Sequence, residues 1–223
     1  MALNAKKVKQ TGGKGTQQEP IENGTYPCRL VQVVDLGLQP QRPYKDEPKP
    51  PAHEIMLTYE FLDEYCKDKD GKEDEAKPRW LSETMPLRNL EQDLAKSTKR
   101  YNAIDPDCVH DGDFTELVGL CAMVTVANRE SNGKVYTNIT NLSSMRAKEA
   151  AKAPELVNPS KVFLMDEPDL EVLSSLPDWL QDKIKANLEY SGSVLEAALE
   201  GGSKPKKEEE PETEDDTDEG GSW

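Results

Sequence analysis

Between Glu54 and Leu62 the chain alternates without a break. Ile55, Leu57, Tyr59 and Phe61 fall on one side, and Met56, Thr58 and Glu60 fall on the other. A two-residue period is that of a β-strand with one face in a core, because successive side chains leave a strand in opposite directions. Four further segments read the same way. Thr25–Leu36 is rich in Val and Leu. Arg79–Leu87 places Leu81, Met85 and Leu87 inward and Trp80, Ser82 and Thr84 outward. Leu120–Ala127 is followed by Lys134–Leu142, which puts Tyr136, Asn138 and Thr140 on one face. Asn132-Gly133 between these two is a hairpin signal, and Asp70-Gly71 marks an earlier turn. A long loop from Gly37 to His53 carries Pro40, Pro43, Pro48, Pro50 and Pro51.

The period changes once inside this series. Asn89, with Gln92 three residues on, can cap a helix. Leu90, Leu94 and Tyr101 then recur at helical spacing, with Lys96, Lys99 and Arg100 on the opposite side. Three strands, a helix and two strands is the connectivity of a five-stranded OB-type barrel, whose oligonucleotide face comes from strands two and three and the loops after strands one and four. The expected fold class is therefore mainly β with helices (α+β), a five-stranded OB-type barrel over residues 21–147. After Met145 the pattern turns helical. Pro177 suits the start of a helix, and Leu176, Leu180, Ile184 and Leu188 form a stripe at i, i+4 spacing. Residues 148–200 thus read as a helical extension whose stripe packs on the barrel or, alternatively, forms a homodimer contact.

Charge divides the ends from the body. Residues 1–20 carry Lys6, Lys7, Lys9 and Lys14 without apolar periodicity and read as a disordered basic arm. Residues 201–223 read as a disordered tail. Nine acidic side chains lie between Glu208 and Glu219, so a formal charge of −15 leaves only −6 for the rest. A pI near 4.7 is therefore no argument against nucleic acid, for which a local basic surface is what counts. Cys28, Cys66, Cys108 and Cys121 form no CxxC pair, and no signal-peptide pattern is present. Reduced thiols in a cytoplasmic setting are expected. No apolar run approaches the roughly 18–20 residues of a membrane span.

No convergent catalytic site can be assembled, and no cofactor or metal is expected. His53 lies in the proline-rich loop and His110 in a turn-like segment. Cys108 and His110 would supply only half of a zinc site. Asp68, Asp70 and Asp74 miss the spacing of a calcium loop. The run Gly12-Gly13-Lys14-Gly15-Thr16 lacks the spacing and the preceding strand of a phosphate loop. Adjacent acids such as Asp63 and Glu64 are commonplace in so acidic a chain.

Binding a single strand asks for less: cations for phosphates and flat rings for bases. Trp80 and Tyr136 each lie on the polar face of a strand, and in an OB barrel strands three and five are neighbours, so the two rings could share one surface. Trp80 could instead cover the core edge beneath the C-terminal helices. Tyr44 stands between Arg42 and Lys45. The phosphate candidates are Arg29, Arg42, Lys45, Lys49, Arg79, Arg88, Lys99, Arg100, Arg129 and Lys134. Glu60 and Glu83 oppose a uniformly positive groove.

The chain resembles the single-stranded DNA-binding proteins of tailed bacteriophages. The stretches that carry the likeness are "GTYPCRLVQVVDLGLQPQ", "PPAHEIMLTYEFLDE", "PRWLSETMPL" and "EAAKAPELVNP", across about residues 22–190, with "KKEEEPETEDDTDEGGSW" as a looser similarity at the end. The resemblance implies an OB barrel that coats exposed single strands during phage DNA replication and recombination in the infected bacterial cell. It also implies an acidic tail that recruits replication or recombination proteins and competes with DNA. Carried over to this sequence, the tail residues are Glu208, Glu209, Glu210, Glu212, Glu214, Asp215, Asp216, Asp218, Glu219 and the terminal Trp223, where such tails usually end in Phe. The competing expectation is an acidic interaction protein, a DNA mimic or assembly adaptor, that occupies basic sites on other proteins. An enzyme of nucleotide or DNA metabolism lacks a site.

Overall fold

The computed structural model describes residues 19–68 and 70–201. The acidic cluster, Trp223 and all four arm lysines lie outside these residues. The strands are β1 (Gly24–Gln39), β2 (Ala52–Lys67), β3 (Glu73–Pro86), β4 (Cys121–Ser131), β5 (Lys134–Ser144) and β6 (Lys161–Phe163). The helices are α1 (Lys96–Ile104), α2 (Ala147–Ala150), α3 (Leu170–Ser174), α4 (Asp178–Lys185) and α5 (Val194–Leu199). The β1-β2-β3-α1-β4-β5 order matches the sequence pattern, and β6 is an addition to it.

The sheet is an open path, β3-β2-β1-β4-β5, rather than the closed barrel expected. β3 and β5 approach within 8 Å between Cα atoms but share no ladder, and α1 packs against both of them. The helix sits where a closing ladder would run. β1 organises the rest. One edge pairs antiparallel with β2; the other pairs antiparallel with β4 over Gly24–Arg29 and parallel with β6 over Gln32–Val34.

Two cores lie on opposite faces of β1 and β2. The inner one joins Cys28, Leu30, Val33, Ile55, Leu57, Tyr59, Phe61, Met85, Val124, Val126 and Leu142 to Tyr101, Ile104, Phe114 and Leu117. The outer one sets Val34, Leu36 and Met56 against Phe163, Met165, Leu173, Leu176, Leu180, Ile184 and Leu195. β2 is consequently buried on both sides from Ile55 to Leu62. Its alternation separates the inner core from an outer face that is also covered, by the outer core at Met56 and by hydrogen-bonded neighbours at Thr58 and Glu60.

Irregularities in β1 make this possible. Register shifts fall between Leu30 and Gln32 and between Asp35 and Leu38, and such bulges re-aim side chains and strengthen twist. Gly37, in the second shift, has φ +68°, and a Cβ there would lie 2.8 Å from the Asn187 side chain. The β4–β5 hairpin turns as expected through Asn132 (φ 53°) and Gly133 (φ 71°), the all-positive pair that a type I′ turn requires.

Two helix readings are corrected. α1 begins at Lys96, not beside Asn89. The Asn89 side chain accepts from Glu91 N–H and its carbonyl from Gln92 N–H, closing a local turn instead. Leu94 is therefore exposed. The extension is not mainly helical: α2 to α5 are short, joined by turns and β6. Within the expected stripe, Leu176, Leu180 and Ile184 are buried on the sheet, whereas Leu188 follows the end of α4 and is exposed. Among the described residues no helix is long and apolar enough to cross a membrane.

Candidate nucleic-acid interface

The three predicted stacking rings stay open. Tyr44 is 59% exposed, Trp80 53% and Tyr136 50%. Trp80 belongs to neither core. Its position follows from the β2–β3 register, which sets it opposite Glu60. Tyr136 stands opposite Arg129 near the hairpin tip. No β3–β5 ladder brings the two rings together, which corrects the expectation of a shared surface built by neighbouring strands.

Tyr44 caps a small turn in the loop between β1 and β2. Tyr44 and Glu47 exchange backbone hydrogen bonds at 3.0 Å, with Lys45 and Asp46 at positive φ. The Lys45 and Lys49 ammonium groups lie 5.4 and 5.0 Å from the ring centroid, within cation–π range. Arg42, Lys45 and Lys49 are all exposed around it.

The remaining cations separate into two groups. Arg88, Lys99, Arg129 and Lys134 are exposed. Arg79 is half-buried and donates to the Glu19 carbonyl at 2.6 Å. Arg100 and Arg29 leave the phosphate set. Arg100 is buried, with its guanidinium on both carboxylate oxygens of Glu83 at 2.7 and 3.2 Å. Glu83 also accepts from Tyr59 Oη and pairs with Lys96. Arg29 donates to the carbonyls of Pro154, Gly119 and Ala153 at 2.7, 2.6 and 3.0 Å.

Glu60 is treated similarly. It is 1% exposed, and its carboxylate accepts from Val157 N–H, Asn158 N–H and Asn158 Nδ2 at 2.8, 2.9 and 2.6 Å. A buried carboxylate is tolerable only when so satisfied. Neither Glu60 nor Glu83 therefore confronts a ligand, which removes the two acids that opposed a cationic groove.

Together these contacts fix a strap, residues 151–160, on the outer face. The ladders align Cys121, Arg29, Glu60 and Trp80 in one cross-strand row over β4, β1, β2 and β3. The chain passes along that row. Ala150 carbonyl meets Cys121 Sγ at 4.0 Å, Ala153 and Pro154 meet Arg29, and Val157 and Asn158 meet Glu60. It turns away to β6 one strand short of Trp80. Sequence reasoning missed this segment because backbone groups hold it, leaving no side-chain pattern. Its exposed Lys152, and Lys148 in the preceding α2, were missed with it.

A hollow of about 190 Å³ at the other end of β1 is lined by Asp35, His53, Phe114 and Leu164 among others. His53 Nε2 lies 2.7 Å from Asp35 Oδ1. That contact raises the His53 pKa against the opposing effect of burial. Burial pushes the Asp35 carboxyl up, but the hydrogen bonds from His53, Gly37 N–H and Met165 N–H hold it below its ordinary value. Asp35 and His53 link β1, β2 and the extension at Met165. Among the described residues no group of three His, Cys, Asp or Glu side chains could hold a metal ion.

Compared with known proteins, the chain matches no family model and no curated sequence.

Proposed function

We propose that this protein binds single-stranded DNA, largely without sequence preference, by stacking bases on exposed rings and pairing phosphates with nearby cations. Its sheet is read as an OB-type arrangement without the closing ladder, because β1 serves both β2 and β4 and a helix links β3 to β4. In such folds the strand-two and strand-three face and the loops after strands one and four meet the nucleic acid. The observation that carries the reading is where exposed aromatics fall. Trp80 lies on β3, Tyr44 in the loop after β1 and Tyr136 on β5 close to the β4–β5 turn, each at least half exposed, while Trp179, 59% exposed on α4, lies outside this set. Base–ring stacking contributes about 1–3 kcal/mol per base, enough for three rings to matter. A role in phage DNA replication and recombination, and a tail that recruits partner proteins, follow from the resemblance.

Titrating the full chain with oligo-dT at two salt concentrations tests the reading. Binding should weaken linearly with log salt and quench tryptophan fluorescence. Absence of binding at low salt would abandon it in favour of an acidic protein that occupies other proteins' basic sites.

A further inference from the structure

Resting on the single-strand reading, we propose that the strap completes a base-binding site with Trp80, Val157 forming its second wall and Lys152 and Lys148 its phosphate contacts. Val157 N–H sits 2.8 Å from Glu60 Oε1, and Glu60 is the cross-strand partner of Trp80. Directly opposed strand residues stand about 5 Å apart at Cβ. Glu60 thus links Val157 to the cross-strand position of Trp80, and both side chains remain exposed, at 54% and 53%. An aromatic plate beside an aliphatic wall, both left open, accepts a flat apolar-faced ring.

The way the strap is held supports a positioning role. A short distance along the same face, Phe163 and Met165 pack on Val34 and Met56, and the backbone of β6 adds a parallel ladder with β1. At the strap, that solution is replaced by two ions. Burying Glu60 and half-burying Arg29 costs free energy that only their several hydrogen bonds offset. What those bonds provide is placement: each fixes two backbone positions of a segment that has no regular structure of its own. Glu60 and Arg29 are therefore positioning residues, and Val157 and Trp80 are the contacts.

The cations follow from the direction of the row. Lys152 precedes the carbonyls that Arg29 grips, two strand spacings of about 4.8 Å from Trp80. Lys148 lies further along, in α2, near the β4 end. A nucleic-acid backbone leaving Trp80 along the strap passes the exposed Glu155 and then meets Lys152 and Lys148. The ligand must offer an unstacked base, which an intact duplex does not, so the site selects single strands.

Double-mutant cycles on the full chain decide this, with fluorescent oligo-dT as probe. Trp80→Ala and Val157→Asp should each weaken binding about tenfold. The double variant should be little weaker than either alone, and Lys152→Gln should flatten the salt dependence. Without DNA, in a chain whose sole tryptophan is Trp80 (Trp179→Phe with Trp223→Phe), Glu60→Gln should increase iodide quenching. Independent, multiplying losses from Trp80→Ala and Val157→Asp would overturn the composite site while leaving single-strand binding intact. So would normal affinity and salt dependence in both Val157→Asp and Lys152→Gln. No oligo-dT binding by the unaltered chain would overturn the single-strand reading and this inference together.

Discussion

Arg29 and Glu60 face each other across the β1–β2 ladder, yet each directs its charge at the same passing segment instead of at its partner. Arg29 takes carbonyls of Ala153 and Pro154; Glu60 takes the amides of Val157 and Asn158. Opposite charges thus grip opposite backbone groups of one strap. Removing the carboxylate strands three donors, the Val157 and Asn158 amides and Asn158 Nδ2. Glu60→Ala should lower stability by about 3 kcal/mol, read from urea unfolding. A loss below about 0.5 kcal/mol would mean the strap is not held there.

The outer core makes a sharper contrast within one short segment. Leu180 and Ile184 are fully buried against the sheet, while Leu188, the next member of the same i, i+4 series, is 55% exposed. Leu180→Ala and Ile184→Ala should each cost about 2–5 kcal/mol. Leu188→Ala should stay within about 0.5 kcal/mol. Thermal unfolding of the three variants gives the comparison, and equal losses at the buried and exposed positions would contradict the observed end of α4.

Much of this architecture is legible in residue order, and the exceptions have definite causes. The alternation of β2 and the outward Trp80 follow from a two-residue period, and the Asn132-Gly133 turn from the ease with which that pair adopts positive φ. The second core does not, because Met56 looks solvent-facing until the extension covers it. Register shifts at Leu30/Gln32 and Asp35/Leu38 leave no mark in hydropathy. Asn89 offers a helix cap and a local turn with the same side chain, and the turn prevails. An arginine is equally suited to a phosphate, a carboxylate or a carbonyl. Arg42 stays exposed, Arg100 finds Glu83 and Arg29 finds the strap, a division that only the fold sets.

The Asp35–His53 pair makes stability depend on pH in a defined direction. His53 is raised by its hydrogen bond to Asp35 and by the nearby Glu189 and Asp166 carboxylates. Its contribution is fully present below the unfolded value of about 6.5 and is lost as pH rises through the raised folded value. Asp35, held low, contributes above about 3.9 and loses that contribution as pH falls through its depressed value. The pair is therefore most effective between these limits. The melting temperature should fall from pH 6 to pH 8, and His53→Gln should remove much of that slope. An unchanged slope would assign the dependence to other groups.

The acidic segment Glu208–Glu219 lies outside the described residues, but its effect on binding follows from charge and tethering. Nine like charges repel and favour an extended chain. Attached to a chain that carries −6 outside residues 208–219, of which the body over residues 21–200 holds −12 and the lysine-bearing ends the balance, they act on any cationic surface at the high effective concentration of a tethered competitor. The cations they would compete for are those left open here: Arg42, Lys45 and Lys49 around Tyr44, Arg129 and Lys134 beside Tyr136, and Lys148 and Lys152 near the strap. Removing residues 208–223 should therefore tighten oligo-dT binding at low salt. The gain should shrink as salt rises, because the Debye length falls from about 30 Å at 0.01 M to about 10 Å at 0.1 M. Fluorescence titrations of the full and shortened chains at both concentrations provide the measurement. Equal affinity at low salt would show that the tail does not screen the DNA-binding surface.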